Sequence, residues 1–349
     1  MPHRLGYIMQ KVLTHENCTR AVLVGTANLE RTPKIRRIRN DPEAYGQKIL
    51  NILAAGWEPE PTREKVINEG SSHKVRKLQI PTTRDHLVHV AIMLPILDEL
   101  VKRYDFYSCG SIPERGSRRV ISSIKSWMNG PKPIKYAAQA DVHHAYASTS
   151  SETVMRCLRR FIKDKTYLHL HELILQQMGG HLAIGFQPSH WYFNLVMTDI
   201  DRKIRKECKG IKLVRYMDNY VLGCNRKRTL HKAIRLIMDE CRKIGLSING
   251  DWQVFSTKNR PVTALSYRYF RGYTVLKKGI MYTIVRGFKK TRRRMCAHNA
   301  RGTMSHIGIL RHCNSYHFRV KFLYHKLSIK RMKELISNAD KKRVLCGAS

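Results

Sequence analysis

Asp141-Val142-His143-His144-Ala145-Tyr146 and, further on, Tyr216-Met217-Asp218-Asn219 are the two stretches that decide how this chain folds. Each puts an aspartate at the end of a short apolar run with strand character. Tyr136 to Val142 forms the first run, and Ile211 to Tyr216 leads into the second, which Tyr220 to Leu222 leaves as a hairpin. Alone, Asp141 reads as a strand-end cap and Asp218 as an ordinary turn residue. Together, in a very basic chain, they read as a carboxylate pair able to hold divalent cations for nucleotidyl transfer. The second box ends in a neutral amide, Asn219.

The intervening sequence supports bringing the two boxes together. Thr153 to Ile162 and Thr166 to Met178 have helical spacing, Pro188 ends a glycine-bearing segment over 179–188, and Ser189 to Ile204 reads as a further helix. Lys227 to Ile244 is amphipathic, with Leu230, Ile234, Ile237, Met238 and Cys241 near helical period, and Gly245 stops it. Strands are expected at 246–248 and 252–255, with another hairpin around 265–285. The resulting β–α–β–β–α–β order is the split arrangement of an α+β palm, whose sheet sets distant strand ends side by side. Upstream, Asn68-Glu69-Gly70-Ser71-Ser72 is turn-like. The strand after it alternates Lys74, Arg76 and Lys77 with Val75, Leu78 and Ile80, as if one face packs and the other meets phosphates. Arg84 to Val101 reads as helical despite Pro95, and Ser111 to Gly116 as a tight loop feeding a helix through Trp127. Asn40 and Asp41 open a helix to about Ala55, and Arg31 to Arg39 reads as a basic arm or a linker.

The chain's 65 Lys and Arg against 26 Asp and Glu give a formal net charge of +39 on 349 residues. Such a field concentrates polyanions and makes their binding salt-dependent. The length allows a real core and two or three lobes. Ala91 to Leu97 is too short an apolar run to span a membrane, and Met1 to Gln10 has no signal-peptide core, so no membrane partner and a cytoplasmic location are expected. Nine cysteines without a CxxC pair fit a reducing compartment. The histidines show no zinc spacing; His143-His144 and His169 with His171 read as surface or phosphate-facing groups.

A series of blocks, in order, resembles the reverse transcriptases across roughly residues 65–290. Arg76-Lys77-Leu78-Gln79-Ile80-Pro81 with Arg84-Asp85 resembles their fingers motifs, and Gly110 to Gly116 a loop of the bacterial branch. Asp141 to Tyr146 and Ala183-Ile184-Gly185-Phe186-Gln187-Pro188-Ser189-His190 resemble the first two palm motifs. Tyr216 to Asn219 resembles the YxDD box less its final Asp. Gly245 to Ile248 and Tyr269-Phe270-Arg271-Gly272-Tyr273 resemble the two later motifs. Ile184-Gly185 follows the subgroup related to diversity-generating retroelements, while His190 departs from its usual Gln; phage-defence reverse transcriptases share the same core.

The resemblance implies a right-hand polymerase: an N-terminal extension over 1–60, fingers over 61–135, a palm over 136–275 that holds part of the fingers between its motifs, and a basic, mainly helical thumb and tail over 276–349. It implies RNA-directed DNA synthesis with two Mg²⁺ ions, Mn²⁺ being an alternative, held by Asp141, Asp218 and the Val142 carbonyl. Lys74, Arg76 and Arg84 are candidates for the dNTP triphosphate, and Tyr146 for screening the sugar 2′ position. Gly185 is a candidate for close approach to the nascent base pair, with Gln187 and Ser189 ordering the template. Tyr269, Phe270 and Gly272 are candidates for supporting the primer. Arg286, Lys289, Lys290, Arg292, Arg293 and Arg294, followed by apolar Ile307, Ile309, Leu310, Phe318, Val320, Phe322, Leu323 and Leu327, fit a thumb that grips an RNA–DNA duplex. Implied partners are a template or structured noncoding RNA, with an accessory protein or a second reverse transcriptase as further options.

Asn219 leaves three readings open: a tolerated natural residue in an active enzyme, a natural copy that binds RNA without polymerising, or a near-isosteric replacement of an aspartate. The alternative to a polymerase is accordingly a non-catalytic RNA-binding scaffold in a retroelement or phage-defence complex.

Overall fold

The computed structural model describes residues 4–27, 29, 32–69, 74–324 and 326–345, with only the backbone for Asn68, Glu69, Lys74 and 341–345. In chain order, α1 (Ile8–Val12), α2 (His15–Thr26), α3 (Pro33–Asn40) and α4 (Pro42–Ala54) precede a hairpin of β1 (Arg63–Glu69) and β2 (Lys74–Ile80). Then come α5 (Thr83–Met93), a 3₁₀ turn at Leu94–Ile96, α6 (Leu97–Arg103) and α7 (Gly116–Asn129). The central part is β3 (Tyr136–Asp141), α8 (Ala145–Ser148), α9 (Ser151–Arg159), α10 (Lys165–Gln177), α11 (Gln187–Glu207), β4 (Lys212–Tyr216), β5 (Asn219–Cys224), α12 (Lys227–Lys243) and β6 (Gln253–Ser256). The last part holds β7 (Val262–Ala264), β8 (Tyr267–Tyr269), β9 (Thr274–Leu276), α13 (Lys278–Arg293), α14 (Ala297–Leu310), α15 (Tyr316–Phe322) and α16 (Ile329–Leu345).

The central sheet has the strand order β4-β5-β3-β6, the arrangement of a split β–α–β fold. Burial explains why these segments form it. β4 and β5 are buried on both faces over most of their length, and α12 buries Leu230, Ala233, Ile234, Ile237 and Cys241 along one stripe while its other faces stay charged. α11 is buried almost all round through Trp191, Tyr192 and Phe193. Pro188 does not end a segment here. It occupies the first turn of α11, where the missing N–H has no intrahelical partner to lose.

Two compact units divide the chain. One comprises Met1–Gly116, Ala138–Leu222 and Arg228–Gln253, the other Ser117–Ala137, Gly223–Lys227 and Val254–Ser349. In the first, Asp41 caps α4 as the sequence indicates. The Arg31 to Arg39 run is neither an arm nor a linker in its described part: Thr32 caps α3, which buries Ile35 and Ile38 and leaves its cations outward. The β1–β2 hairpin is antiparallel, pairing Val66 with Lys77 and Asn68 with Val75, and residues 70–73 of its expected turn lie outside the described residues. Val66, Ile67 and Val75 are exposed, so the outer hairpin does not pack one face as expected. Pro95 sits in the 3₁₀ turn that separates α5 from α6.

In the second unit the expected hairpin is shorter than read, because Lys278 already begins α13; β7, β8 and β9 form one antiparallel sheet. Residues 246–248, which belong to the first unit, are not a strand but a loop with a single bridge from Ile248 to Val142. The helical core joins Ile284, Phe288, Ala300, Ile307, Leu310, Leu323, Leu327 and Met332. Val320 faces outward. No helix among the described residues is long and apolar enough to cross a membrane.

His89 on α5 and His171 on α10 are fully buried, which corrects the surface reading of His171, and burial pushes both imidazoles down to about 3. The unfolded chain protonates them near the ordinary value of about 6.5. Because the folded values are depressed, the stability they carry is full above about pH 6.5 and falls as pH drops toward 3. The slope approaches about 1.4 kcal/mol per pH unit per histidine. Urea unfolding from about pH 7 to about pH 4.5 should show this loss, and His171→Gln should make it shallower.

Candidate active site

β4 and β5 are joined by a two-residue turn, Met217-Asp218, with Asn219 opening β5. Met217 has a left-handed φ of 56°, a conformation that costs a non-glycine residue on the order of 1 kcal/mol and persists only where its surroundings impose it. Two contacts do so. Arg215 Nη1 donates to Met217 O at 2.8 Å, and Gly110 lies so close that a Cβ there would stand 2.6 Å from Met217 N. The turn thereby presents Asp218 beside the end of β3, where Val142 N donates to Asp218 O at 3.1 Å. The structure thus brings Asp141, Val142, Asp218 and Asn219 together.

Each aspartate has one oxygen engaged by an amide. Asn219 Nδ2 donates to Asp218 Oδ1 at 2.8 Å, and Asn249 Nδ2 donates to Asp141 Oδ2. Asp141 Oδ1 and Asp218 Oδ2 accept from no protein donor among the described residues. No group of three or more His, Cys, Asp or Glu side chains able to hold a metal occurs among those residues. Two carboxylates nonetheless suit Mg²⁺, which commonly takes one or two and leaves its other positions to water and substrate phosphates. His143 and His144 are exposed beside the pair, and His143 Nδ1 meets Asn249 Oδ1 at 2.6 Å. Tyr146, on α8, packs edge-to-face on Phe193 at 5.6 Å; burial, then the Asp218 carboxylate, raise its hydroxyl pKa.

Below the turn lies a polar network that the sequence reading missed. Arg215 and Asp201 are both fully buried and paired at 2.8 Å. The guanidinium also donates to Asn194 Oδ1 at 3.0 Å and Ser108 Oγ at 2.7 Å, and Tyr220 OH donates to Asp201 at 2.8 Å. The signal was faint: an arginine inside the apolar run Leu213-Val214-Arg215-Tyr216, opposite an aspartate in the apolar stretch of α11.

Other expected residues take different roles. Arg84 donates to Glu58 O at 2.7 Å and pairs with Glu60 and buried Asp85, so the guanidinium offered to a triphosphate is already engaged on the protein. Ser189 is buried and donates to Ala183 O at 2.7 Å. That bond closes the loop before α11. Gly185 has φ 114°, and a Cβ there would lie 2.2 Å from Gln79 O; passage against β2, where Gln79 N donates to Ile184 O, already requires the glycine. Gln187 starts α11 with its Oε1 buried and no protein donor among the described residues. Arg76 is exposed on β2, and Lys74 is placed there by its backbone alone.

In the second unit, Tyr269 is fully buried. Phe270 stacks on Tyr273 at 4.7 Å, and Gly272, with φ 86°, donates its N–H to Asn129 Oδ1 at 2.8 Å. Arg286, Lys289, Lys290, Arg293 and Arg294, with Asn299, line a groove of about 400 Å³ that contains no acidic side chain. Arg292 is exposed on the same helix.

Strand-end aspartates meeting on a split β–α–β sheet define the palm of a nucleotide-polymerising class. Residues 67–269 match the family model for reverse transcriptase (RNA-dependent DNA polymerase), more than half of the chain, and the chain belongs to the reverse transcriptase family. It is 26% identical over 138 residues to Protein YkfC of Escherichia coli K12, covering 38% of this chain and 35% of that protein. It is 22% identical over 213 residues to the group II intron-encoded protein LtrA of Lactococcus lactis, covering 57% and 34%. The chain therefore spans about a third of the length of either relative. Among solved structures, telomerase from Candida albicans in complex with a TWJ fragment of telomeric RNA shares the fold, with a TM-score of 0.51 at 10% identity over 80% of this chain and 59% of that one.

Asp201→Ala strands Arg215 in the interior without its carboxylate and should cost about 3–5 kcal/mol. Urea unfolding measures this. Gly185→Ala should lower the same midpoint through its positive φ and its clash with Gln79 O.

Proposed function

We propose that this chain is an RNA-directed DNA polymerase that joins a priming hydroxyl to an incoming dNTP with release of pyrophosphate. The observation that carries the reading is the Val142 N to Asp218 O hydrogen bond, which seats Asp218 beside Asp141 in a reverse transcriptase palm. Asp141 and Asp218, with the Val142 carbonyl and the substrate's own phosphates, would hold two Mg²⁺ ions, or Mn²⁺ in their place. When bound, these ions stabilise charge on the attacking and leaving oxygens. Asp141 Oδ1 and Asp218 Oδ2 are the oxygens left open for this.

Tyr146 stands against Phe193 within the field of Asp218 and favours dNTPs by crowding the sugar 2′ position. Arg76 and Lys74 on the β1–β2 hairpin supply positive charge for triphosphate or template. The basic groove on α13 holds backbone phosphates of an RNA–DNA duplex, an assignment supported by its lack of acids. In this reading 61–135 serve as fingers, 136–275 as palm and 276–349 as thumb, with Phe270 and Gly272 near the primer. Ile184-Gly185 supports placing the chain among bacterial reverse transcriptases of the retroelement or phage-defence kind, with a template or structured noncoding RNA as partner.

A second reading rests on Asn219. Its neutral amide is turned onto Asp218, so position 219 adds no negative ligand, and an RNA-binding scaffold without synthesis has that observation in its favour. Extension of a primed RNA template with Mg²⁺ and labelled dNTPs by this chain and by Asn219→Asp separates the two. Extension by the chain as it stands, strengthened by Asn219→Asp, is the expected result; extension only by Asn219→Asp marks a disabled polymerase. Silence of both with tight RNA binding overturns the polymerase reading. Asp141→Ala and Asp218→Ala should each lower incorporation by about 10²–10³-fold or more while leaving RNA binding in place. Tyr146→Ala should raise rNTP use relative to dNTP by about tenfold or more in competition assays.

A further inference from the structure

The loop after α12 is positioned from its helix cap onward. Gly245, with φ 76°, follows the last turn, and Leu246 N returns to Cys241 O at 2.9 Å while its side chain is buried. This is the glycine-terminated cap with its accompanying apolar anchor. From there the loop runs antiparallel to the end of β3. His143 N donates to Ser247 O at 2.8 Å, Ile248 bridges Val142, and Asn249 N donates to Asp141 O at 3.0 Å. Asn249 is thereby held by its backbone directly beside Asp141.

Its side chain spans the two neighbours of Val142. A carboxylate only accepts, so the amide NH₂ faces Asp141 Oδ2 and the amide oxygen faces His143 Nδ1, at 2.6 Å. The amide cannot turn over without setting its oxygen against the carboxylate, and His143 must carry its proton on Nδ1. Asp141 Oδ2 is consequently occupied, and Oδ1 accepts from no protein donor among the described residues.

We infer that Asn249 is a positioning residue: it fixes the Asp141 carboxylate in the orientation that receives a divalent cation. This rests on the polymerase reading above, since only a cation-holding Asp141 needs a fixed plane. Without the amide, Asp141 samples other rotamers, and small displacements of a reacting constellation are costly. Asn249 has no place among the residues suggested by the sequence motifs, whose last palm block ends one residue before it.

The test titrates Mn²⁺ into the full chain with a dNTP and an RNA–DNA primer–template present, reading bound ion by electron paramagnetic resonance. The parent, Asp141→Ala, Asn249→Ala and Asn249→Leu are compared, with thermal unfolding of each. Asp141→Ala should lose the ion, and both Asn249 variants should bind it about tenfold more weakly, with unfolding temperatures close to the parent's. Asn249→Leu fills the same space without a donor, so parent-like binding by that variant assigns Asn249 to packing and overturns the inference. Parent-like binding by Asn249→Ala, with the ion lost in Asp141→Ala, overturns it too and leaves the polymerase reading intact. A parent with no Asp141-dependent binding overturns both.

Discussion

The buried pair of Arg215 and Asp201 is the constraint on which the candidate site depends. Removing two charges from water is expensive, and apolar residues of similar volume would stabilise the interior at least as well. What they could not supply is a donor to Met217 O. Arg215 reaches α11 through Asp201 and Asn194, the segment before Gly110 through Ser108, and the turn itself through Met217. One guanidinium thus ties two other parts of the chain to the turn that carries Asp218. The left-handed Met217 backbone survives because these ties leave the turn no relaxed alternative.

The same economy of carboxylates runs through the molecule. In a chain with so few acids, Asp85 is buried and accepts from Trp57 Nε1, Glu60 N, Gln177 and Arg84, joining the segment after α4 to α5 and α10. Asp164 accepts from both Met9 N and Tyr167 N. Asp105 holds Arg205 at 3.0 Å. These acids are used to fasten backbone. Asp141 and Asp218 each have one oxygen that accepts from no protein donor among the described residues. The cations follow the converse pattern, with α13 gathering them on a groove that has no acid to neutralise them.

Neighbouring amides give the aspartate pair an unusual setting. Asn219 engages Asp218 from the next position on β5, while Asn249 engages Asp141 from a loop about a hundred residues away in sequence. Both reduce the freedom of a carboxylate without adding charge. Each leaves the second oxygen of its aspartate without a protein donor among the described residues.

Periodicity and punctuation made much of the architecture legible. The stripe of α12, the cap at Asp41, the aspartates ending apolar strands and the order of the palm elements follow from spacings of two and 3.6 residues and from the chemistry of Gly, Pro and Asp. Those signals are local, so they survive without knowledge of neighbours. The failures share a cause. Ser189, Arg84 and Tyr269 have side chains suited to a ligand, but their donors and rings are consumed by Ala183, by Glu58 with Asp85, and by the core of the β7–β9 sheet. Gly185 reads as room for a base pair, and the structure shows that it also makes room for Gln79. Asn249 carries no local signal at all, because its importance lies in which carboxylate the capped loop sets beside it. Local steric and hydrophobic rules were enough to name the elements and the two aspartates; which polar groups remained free could be decided only by packing, since a buried donor takes whatever acceptor the fold brings within about 3 Å.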